Sequence, residues 1–386
     1  MLEQILRTTE RFIPKRIYRF FQPAYHYLLT FFGAIVYRFP SREITVILVT
    51  GTKGKTSTAE LLNGVFEASG ATTALSGTLR FKIGEESERN MRKMTLPGRF
   101  FVQRFLRMAV DSGCTHAIIE MTSEGARQFR ERFIDMDALI FTNMDDKEGE
   151  RFLSVAKVTQ VPFRLDDGDP VVADEKHVEL TFRGTRVTSS LPGVFNAYNI
   201  LAAATCAFAF GISPNVIAAG IARTEHIPGR MERVEAGQPF PVIVDYAHTP
   251  GSLLAVYKTF QEHQKICVLG NAGGGRDTWK RSIMGGIADT HCAEVILTDE
   301  DPYDEDPKKI LEEMKSGIKK HTPEIILDRR LAIRRAIEIA KKTIDAAVLI
   351  TGKGTDPYIM GQNGAKLAWD DRVVAEEEIR RLFGGE

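Results

Sequence analysis

The 386-residue sequence has no net charge, because 51 Lys and Arg balance 51 Asp and Glu. Bulk charge therefore gives no support to a general polyanion-binding role, nucleic acid included. Cysteine is scarce. Cys114, Cys206, Cys267 and Cys292 lie far apart with no CxxC or CxxxC spacing. That excludes a zinc knuckle or a disulfide framework, and the expectation is four buried, reduced thiols, as in a cytoplasmic protein. No A-x-A cleavage site follows a short apolar core near Met1, so no secretory signal is expected. The apolar run over residues 24–37 is broken by His26 and Gly33 and falls short of the about 20 residues needed to cross a bilayer. No internal repeat is evident. Hydrophobic residues at 43% and charged residues at 26% exclude disorder, collagen and coiled-coil arrays as the dominant state. The length suggests two or three domains.

Residues 1–43 stand apart from the rest. They hold seven basic residues (Arg7, Arg11, Lys15, Arg16, Arg19, Arg38, Arg42) against three acidic ones, and ten Phe and Tyr between Phe12 and Phe39. Two readings are open: a helical hairpin packed on the main body, or a basic, aromatic anchor lying in a membrane interface. From residue 44 the pattern becomes an alternation of strands and helices. Residues 44–49 form a β-branched run suited to a strand buried on both faces. Helix-like residues 57–69 follow, and further short apolar runs lie at 117–119, 138–141, 242–244, 266–269, 295–297 and 347–350. Helical stretches at 197–210, 310–320 and 331–342 separate many of them. This order predicts an α/β protein with parallel sheets. Residues 171–191 read instead as a small antiparallel flap. Ile227-Pro228-Gly229 punctuates the chain before a fresh strand series, so three parts are expected: 1–43, 44–227 and 228–386.

Directly after the first strand comes Thr50-Gly51-Thr52-Lys53-Gly54-Lys55-Thr56-Ser57. Glycines let backbone amides converge on one anion, and the following helix adds its positive N-terminal end. Lys55 reaches terminal phosphates and Thr56 offers a hydroxyl to magnesium. Val49 stands where the full GxxxxGK[ST] pattern has its first glycine, so the loop is a shortened variant. The strand 266–269 has no G-x-G-x-x-G after it, which argues against a dinucleotide site.

The variant loop resembles that of the Mur ligase superfamily, ATP-dependent enzymes that add amino acids to peptidoglycan precursors. The rest of the chain, from about residue 44 to 383, is similar to the tripeptide-forming branch acting on UDP-N-acetylmuramoyl-dipeptide. Met94-Thr95-Leu96-Pro97 occupies the place of a Thr-Thr-Pro segment that touches the sugar nucleotide. Glu120-Met121-Thr122-Ser123-Glu124 resembles E-x-S-S-H, in which the glutamate binds magnesium and the serine lies near substrate. Gln128 and Arg130 match positions that hold the substrate's peptide or phosphate. Asn196-Ala197-Tyr198-Asn199 resembles F-N-x-x-N, whose amides contact the nucleotide. Gly229-Arg230-Met231-Glu232 and Asp245-Tyr246-Ala247-His248-Thr249-Pro250 follow at family spacing, and the resemblance implies that Arg230 and Asp245 complete the ATP site. Gly273-Gly274-Gly275-Arg276-Asp277 with Lys280-Arg281 resembles G-G-x-R-D-x-x-K-R.

The resemblance implies a central ATP-binding parallel-sheet domain and a C-terminal Rossmann-like domain. It implies ATP and Mg2+ as cofactors, with Thr56 and Glu120 as metal ligands. Lys55, Glu120 and His248 are the implied catalytic residues. Gly51, Thr52, Lys53, Gly54, Lys55, Thr56, Ser57, Asn196, Asn199, Arg230 and Asp245 would hold the nucleotide. Thr95, Ser123, Gln128, Arg130, Arg276, Asp301, Gly352 and Asp356 would hold a UDP-MurNAc-peptide and an amino acid. The implied chemistry is transfer of the γ-phosphoryl group to a carboxylate, then attack by an amine on the acyl phosphate.

Three departures matter. Phe141-Thr142-Asn143 runs straight into Met144-Asp145-Asp146-Lys147-Glu148, without the family's D/E-H pair and carbamylated lysine; Lys147 and Lys157 are the available candidates. Glu124 replaces a histidine, and the usual N-terminal sugar-nucleotide domain is replaced by residues 1–43. Glu120 and Thr56 are therefore expected to carry most of the magnesium coordination. At the amino-acid loop, Glu300-Asp301-Pro302-Tyr303 stands for D-N-P-R and Gly352-Lys353-Gly354-Thr355-Asp356 for G-K-G-H-E. Tyr303 for arginine, amid Asp299, Glu300, Asp301, Asp304, Glu305 and Asp306, favours lysine or ornithine over meso-diaminopimelate. Two other functions stay open: a folylpolyglutamate-synthase-like ligase, and a catalytically weakened nucleotide-binding scaffold at the membrane.

Overall fold

The computed structural model describes residues 15–122, 125, 130–142, 161–275 and 277–384, with the backbone alone for residues 15–24 and 99. The chain folds as two units, residues 1–164 with 199–221, and residues 165–198 with 222–386.

The first unit opens with helix α1 (Lys15–Val36) and a short 3-10 turn, Pro40–Arg42. Strand β1 (Thr45–Thr50) follows, buried at its four central positions as its β-branched sequence demands. Helix α2 (Lys55–Ala68) buries Leu61, Leu62, Val65 and Phe66 to within 1% exposure, and each such side chain contributes roughly 1.5–3 kcal/mol. Then come β2 (Thr73–Ser76), β3 (Arg80–Ile83), β4 (Glu86–Arg89), α3 (Arg99–Asp111), β5 (His116–Glu120) and β6 (Ala138–Phe141). The sheet runs β4-β3-β2-β5-β1-β6, with β2, β5, β1 and β6 parallel and β3 and β4 antiparallel. Register pairs Val49 with Glu120 and Thr50 with Phe141. The carboxyl ends of three adjacent strands therefore finish level with the phosphate loop. No described helix is long and apolar enough to cross a membrane.

The second unit starts with the expected flap, an antiparallel sheet of β7 (Val172–Ala173), β8 (Val178–Phe182) and β9 (Thr185–Ser189). Helix α4 (Val194–Ala209) carries the chain from this unit back to the first, which also holds most of α5 (Pro214–Arg223). The remaining elements are β10 (Glu232–Arg233), β11 (Val242–Asp245), α6 (Pro250–Thr259), β12 (Gln264–Leu269), α7 (Lys280–His291), β13 (Glu294–Leu297), α8 (Pro307–Lys315), β14 (Glu324–Ile325), α9 (Arg329–Ala340), β15 (Ala346–Thr351), β16 (Tyr358–Met360), β17 (Lys366–Ala368) and α10 (Asp371–Phe383). The main sheet runs β10-β11-β15-β12-β13-β14, parallel except for β10. Its two faces carry separate apolar cores, one around Tyr257, Phe260 and Met284 and the other around Ile333, Ile337 and Ile379.

The cysteine expectation holds for only two of the four residues. Cys114 and Cys206 are buried thiols, and burial pushes Cys206 up to about 12. Cys267 and Cys292 are joined in a disulfide. The 25-residue spacing concealed this because the strand–helix crossover folds the end of α7 back beside β12, leaving the two Cα atoms 6.1 Å apart. Cysteine usage thus no longer argues for a reducing compartment.

Candidate active site

In the first unit the loop from Thr50 to Lys55 bends at two glycines with left-handed φ, Gly51 at 141° and Gly54 at 78°. A Cβ on Gly51 would collide with the Thr142 hydroxyl, and one on Gly54 with the Asn199 amide oxygen. Only glycine fits either position. Gly54 is the N-cap of α2, so the first free amides of that helix open onto the loop. Lys55 Nζ donates to the Gly51 carbonyl at 2.9 Å. Thr52 and Lys53 are exposed, whereas Thr56 and Ser57 are buried. The Thr142 hydroxyl donates to the Lys53 carbonyl, and Thr58 donates to Asn199 Oδ1 at 3.4 Å.

Glu120 ends β5 and is 1% exposed. Its Oε2 accepts from the Thr56 hydroxyl at 3.1 Å and the Thr78 hydroxyl at 3.0 Å, and its Oε1 accepts from the Thr78 amide at 2.9 Å. The Thr78 hydroxyl also lies 2.9 Å from that of Thr95. Arg130, 9% exposed, donates to the Leu96 carbonyl. The structure thus gathers the loop, Thr56, Glu120, Thr95 and Asn199 into one region, with Arg130 hydrogen-bonded to the segment that carries Thr95. Thr78 was missed from sequence; its signal is the Gly77-Thr78 that follows β2, the strand beside Glu120's own. Thr56 and Glu120 are hard oxygen donors side by side, a set that suits magnesium.

In the second unit, Asp245 ends β11 and accepts from the amides of Met231 and Ala247, both at 2.7 Å. Burial raises its pKa, opposed by the Arg230 charge and these two amides. The Arg230 guanidinium lies 4.5 Å from the Tyr246 ring centre, and His248 packs edge-on to the same ring at 4.7 Å. His248 Nδ1 lies 2.9 Å from the Tyr246 carbonyl, and a Thr249–Ser252 capping box begins α6 immediately after it. Asn196 donates to the Pro192 carbonyl at 2.8 Å.

Asp301 and Asp356 do converge, but on the chain's own Lys353. Its Nζ sits 3.0 Å from both Asp301 oxygens and from Asp356 Oδ2, and donates to the Tyr358 carbonyl at 2.6 Å. The other acids of the loop are largely committed too. Glu305 pairs with the buried Arg281 and is lowered to about 2 by it, Asp306 caps α8, and Asp304 accepts from the Asn363 amide. Glu300 is 5% exposed, and burial raises its carboxyl to about 7 despite nearby Arg329 and Lys353. Its Oε2 has no hydrogen-bond partner and abuts Gly352, where a Cβ would collide with it. The acidic loop read as favouring a cationic substrate side chain is thus a mostly satisfied structural network. Ser123, Gln128 and Arg276 lie outside the described residues, as do Glu124, residues 143–148 and Lys157. Among the described residues, no group of three or more His, Cys, Asp or Glu is arranged to hold a metal.

Two mostly parallel sheets with ligand-type residues at the carboxyl ends of their parallel strands, and a glycine loop opening one helix, define a nucleotide-binding α/β enzyme. The Mur ligase middle domain matches residues 49–168, and the Mur ligase, glutamate ligase domain matches residues 229–354. A UDP-N-acetylmuramoyl-L-alanyl-D-glutamate--2,6-diaminopimelate ligase from Syntrophomonas wolfei is 33% identical, the alignment covering 91% of this chain and 81% of that protein. A UDP-N-acetylmuramyl-tripeptide synthetase from Roseiflexus is 34% identical, with 92% and 82% covered. Among solved structures, a UDP-N-acetylmuramoyl-L-alanyl-D-glutamate--2,6-diaminopimelate ligase superposes with a TM-score of 0.56 at 26% identity, over 88% of this chain and 79% of that one. A Mycobacterium tuberculosis folylpolyglutamate synthase complexed with ADP gives 0.64 at 16% identity over 93% and 94%, a likeness of fold alone. The chain belongs to the Mur ligase family. Its activity is accordingly that of an ATP-dependent ligase.

Proposed function

We propose that this ligase joins an amino acid to the peptide of a UDP-MurNAc precursor through an acyl phosphate. The observation that carries this reading is the cluster at the ends of β1 and β5, where Lys55, Thr56 and Glu120 meet beside the glycine loop. A carboxylate is a poor electrophile, and phosphorylation supplies it with a leaving group. The loop amides and Lys55 would offset charge on the transferring phosphoryl group. Thr56 and Glu120 would hold the magnesium, which neutralises phosphate charge when bound. Thr78 fixes the Glu120 carboxylate through both its amide and its hydroxyl. Thr95 and Arg130 would bind the sugar-nucleotide substrate, and Arg230, Asp245 and His248 would serve the nucleotide side. The names of the relatives support the peptidoglycan-precursor substrate.

The amine substrate is a diamino acid. The Syntrophomonas relative and one of the solved structures are named 2,6-diaminopimelate ligases, but Tyr303 offers no cation for a distal carboxylate. Because Lys353 and Arg281 already engage Asp301, Asp356 and Glu305, charge counting drops out, and the preference for lysine or ornithine rests on Tyr303. Phosphate release from ATP, measured with UDP-MurNAc-dipeptide and each of lysine, ornithine and meso-diaminopimelate, tests both levels. Release that requires the dipeptide and an amine supports the ligase; no release with any of them overturns it. A higher kcat/KM for meso-diaminopimelate than for lysine overturns the Tyr303 argument alone.

A further inference from the structure

Helix α1 packs one face on the body of its unit, and among the described residues its apolar face is left uncovered. On the first, His26, Thr30 and Ala34 are buried where α1 packs against α3. On the other, Leu28, Phe32, Ile35 and Val36 are 51%, 53%, 46% and 62% exposed, an i, i+4, i+7, i+8 stripe along one side of the helix. Tyr27 and Phe31 border it, their rings 5.1 and 5.2 Å from that of Phe133. The same spacing continues in the sequence through Ala24, Phe21 and Phe20. A contiguous stripe of large apolar side chains marks an interaction surface rather than ordinary scatter.

We propose that this face of α1 docks on an anionic lipid bilayer, with the helix lying in the interface parallel to the membrane. The helix is not apolar enough to cross, and its opposite side is already held by α3. Charge decides the occupant. From Arg11 to Arg42 the chain has six basic residues and no acidic one, in a protein whose formal net charge is zero. A second copy seated on the same face would bring two such segments together and oppose like charges, whereas an anionic headgroup layer neutralises them. The stripe supplies apolar burial and the basic residues supply lipid selectivity, the pair of signals that stable interfacial binding requires. This proposal does not depend on the catalytic reading.

The test is co-sedimentation of the full-length protein with vesicles of phosphatidylcholine alone or mixed with phosphatidylglycerol, alongside light scattering in lipid-free buffer. The wild type is expected to pellet with the anionic vesicles and to release as salt approaches roughly 0.5 M. The triple variant Leu28→Ser, Phe32→Ser, Ile35→Ser should bind about tenfold more weakly or worse, with an unchanged thermal midpoint because these side chains are exposed. The variant Lys15→Gln, Arg16→Gln, Arg19→Gln should lose about fivefold per charge removed. Equal pelleting of wild type and serine variant, or no pelleting of the wild type, overturns the proposal. So does a lipid-free dimer that the serine variant converts to monomer, which assigns the face to a second copy. Vesicle binding that appears only after removal of residues 1–14 overturns it too, by assigning the face to the chain's own terminus.

Discussion

Lys55 is held in readiness by the loop it serves, its ammonium fixed on the Gly51 carbonyl four residues back. Lys55→Ala removes the ammonium at the start of α2, and turnover should fall on the order of a hundredfold or more while the circular-dichroism melt is unchanged. Near wild-type amide formation would rule out the ATP-driven mechanism. Thr78→Val keeps the shape of the side chain but deletes the hydroxyl on Glu120 Oε2. A positioning role predicts a higher magnesium concentration for half-maximal rate, with kcat/KM for ATP down about tenfold; Thr78→Ser should restore much of it. Glu300 gives a pH signature. Its folded pKa, about 7, lies above the ordinary value of 4.5. Below pH 4.5 both folded and unfolded chains are protonated there, and no penalty arises. As pH rises to 7 the unfolded chain releases the proton while the folded chain keeps it, so folding loses stability across that window. Glu300→Gln should therefore melt higher than wild type above about pH 7 and show no such gain near about pH 4, as scanning calorimetry at a series of pH values would show.

At the scale of elements, α9 and α10 are locked by a salt bridge with no exposure at all. Arg329 donates to both Asp371 oxygens at 2.7 Å and to the Thr351 carbonyl at 2.9 Å, and the Trp369 indole donates to Asp371 at 2.8 Å. Removing one partner strands a buried charge, so Arg329→Met should destabilise by about 3–5 kcal/mol in urea unfolding. The strands were legible because a parallel sheet buried on both faces writes itself as β-branched runs; residues 138–141 match β6 from end to end. The phosphate loop was legible because glycines, lysine and threonine must stand at fixed spacing between a strand and a helix. What sequence could not reveal were partnerships between distant residues. Lys353 is 52 positions from Asp301, Arg281 is 24 from Glu305, and Cys292 is 25 from Cys267. Only the crossover connections bring these together. Acids that read as a ligand pocket in one dimension thus turn out to have internal partners.

At the scale of the whole molecule, the chain combines overall neutrality with a strongly uneven distribution of charge. Residues 11–42 hold six basic residues and no acidic one, so the rest of the chain carries a net excess of six acids; within that remainder Asp371 pairs with Arg329, Glu378 with Arg330 and Arg334, and Glu324 with Arg335. Charges so paired cancel locally and contribute little field at a distance. Arg42 is paired with Asp135, and the other basic residues of the N-terminal stretch form the segment that an anionic surface attracts, while the acidic excess of the remainder faces cationic ones. A consequence follows for chromatography. At neutral pH a protein of zero formal charge would ordinarily pass through a cation-exchange column, yet this one should be retained on sulfonate resin at low ionic strength and elute early in a salt gradient, held through its N-terminal basic segment.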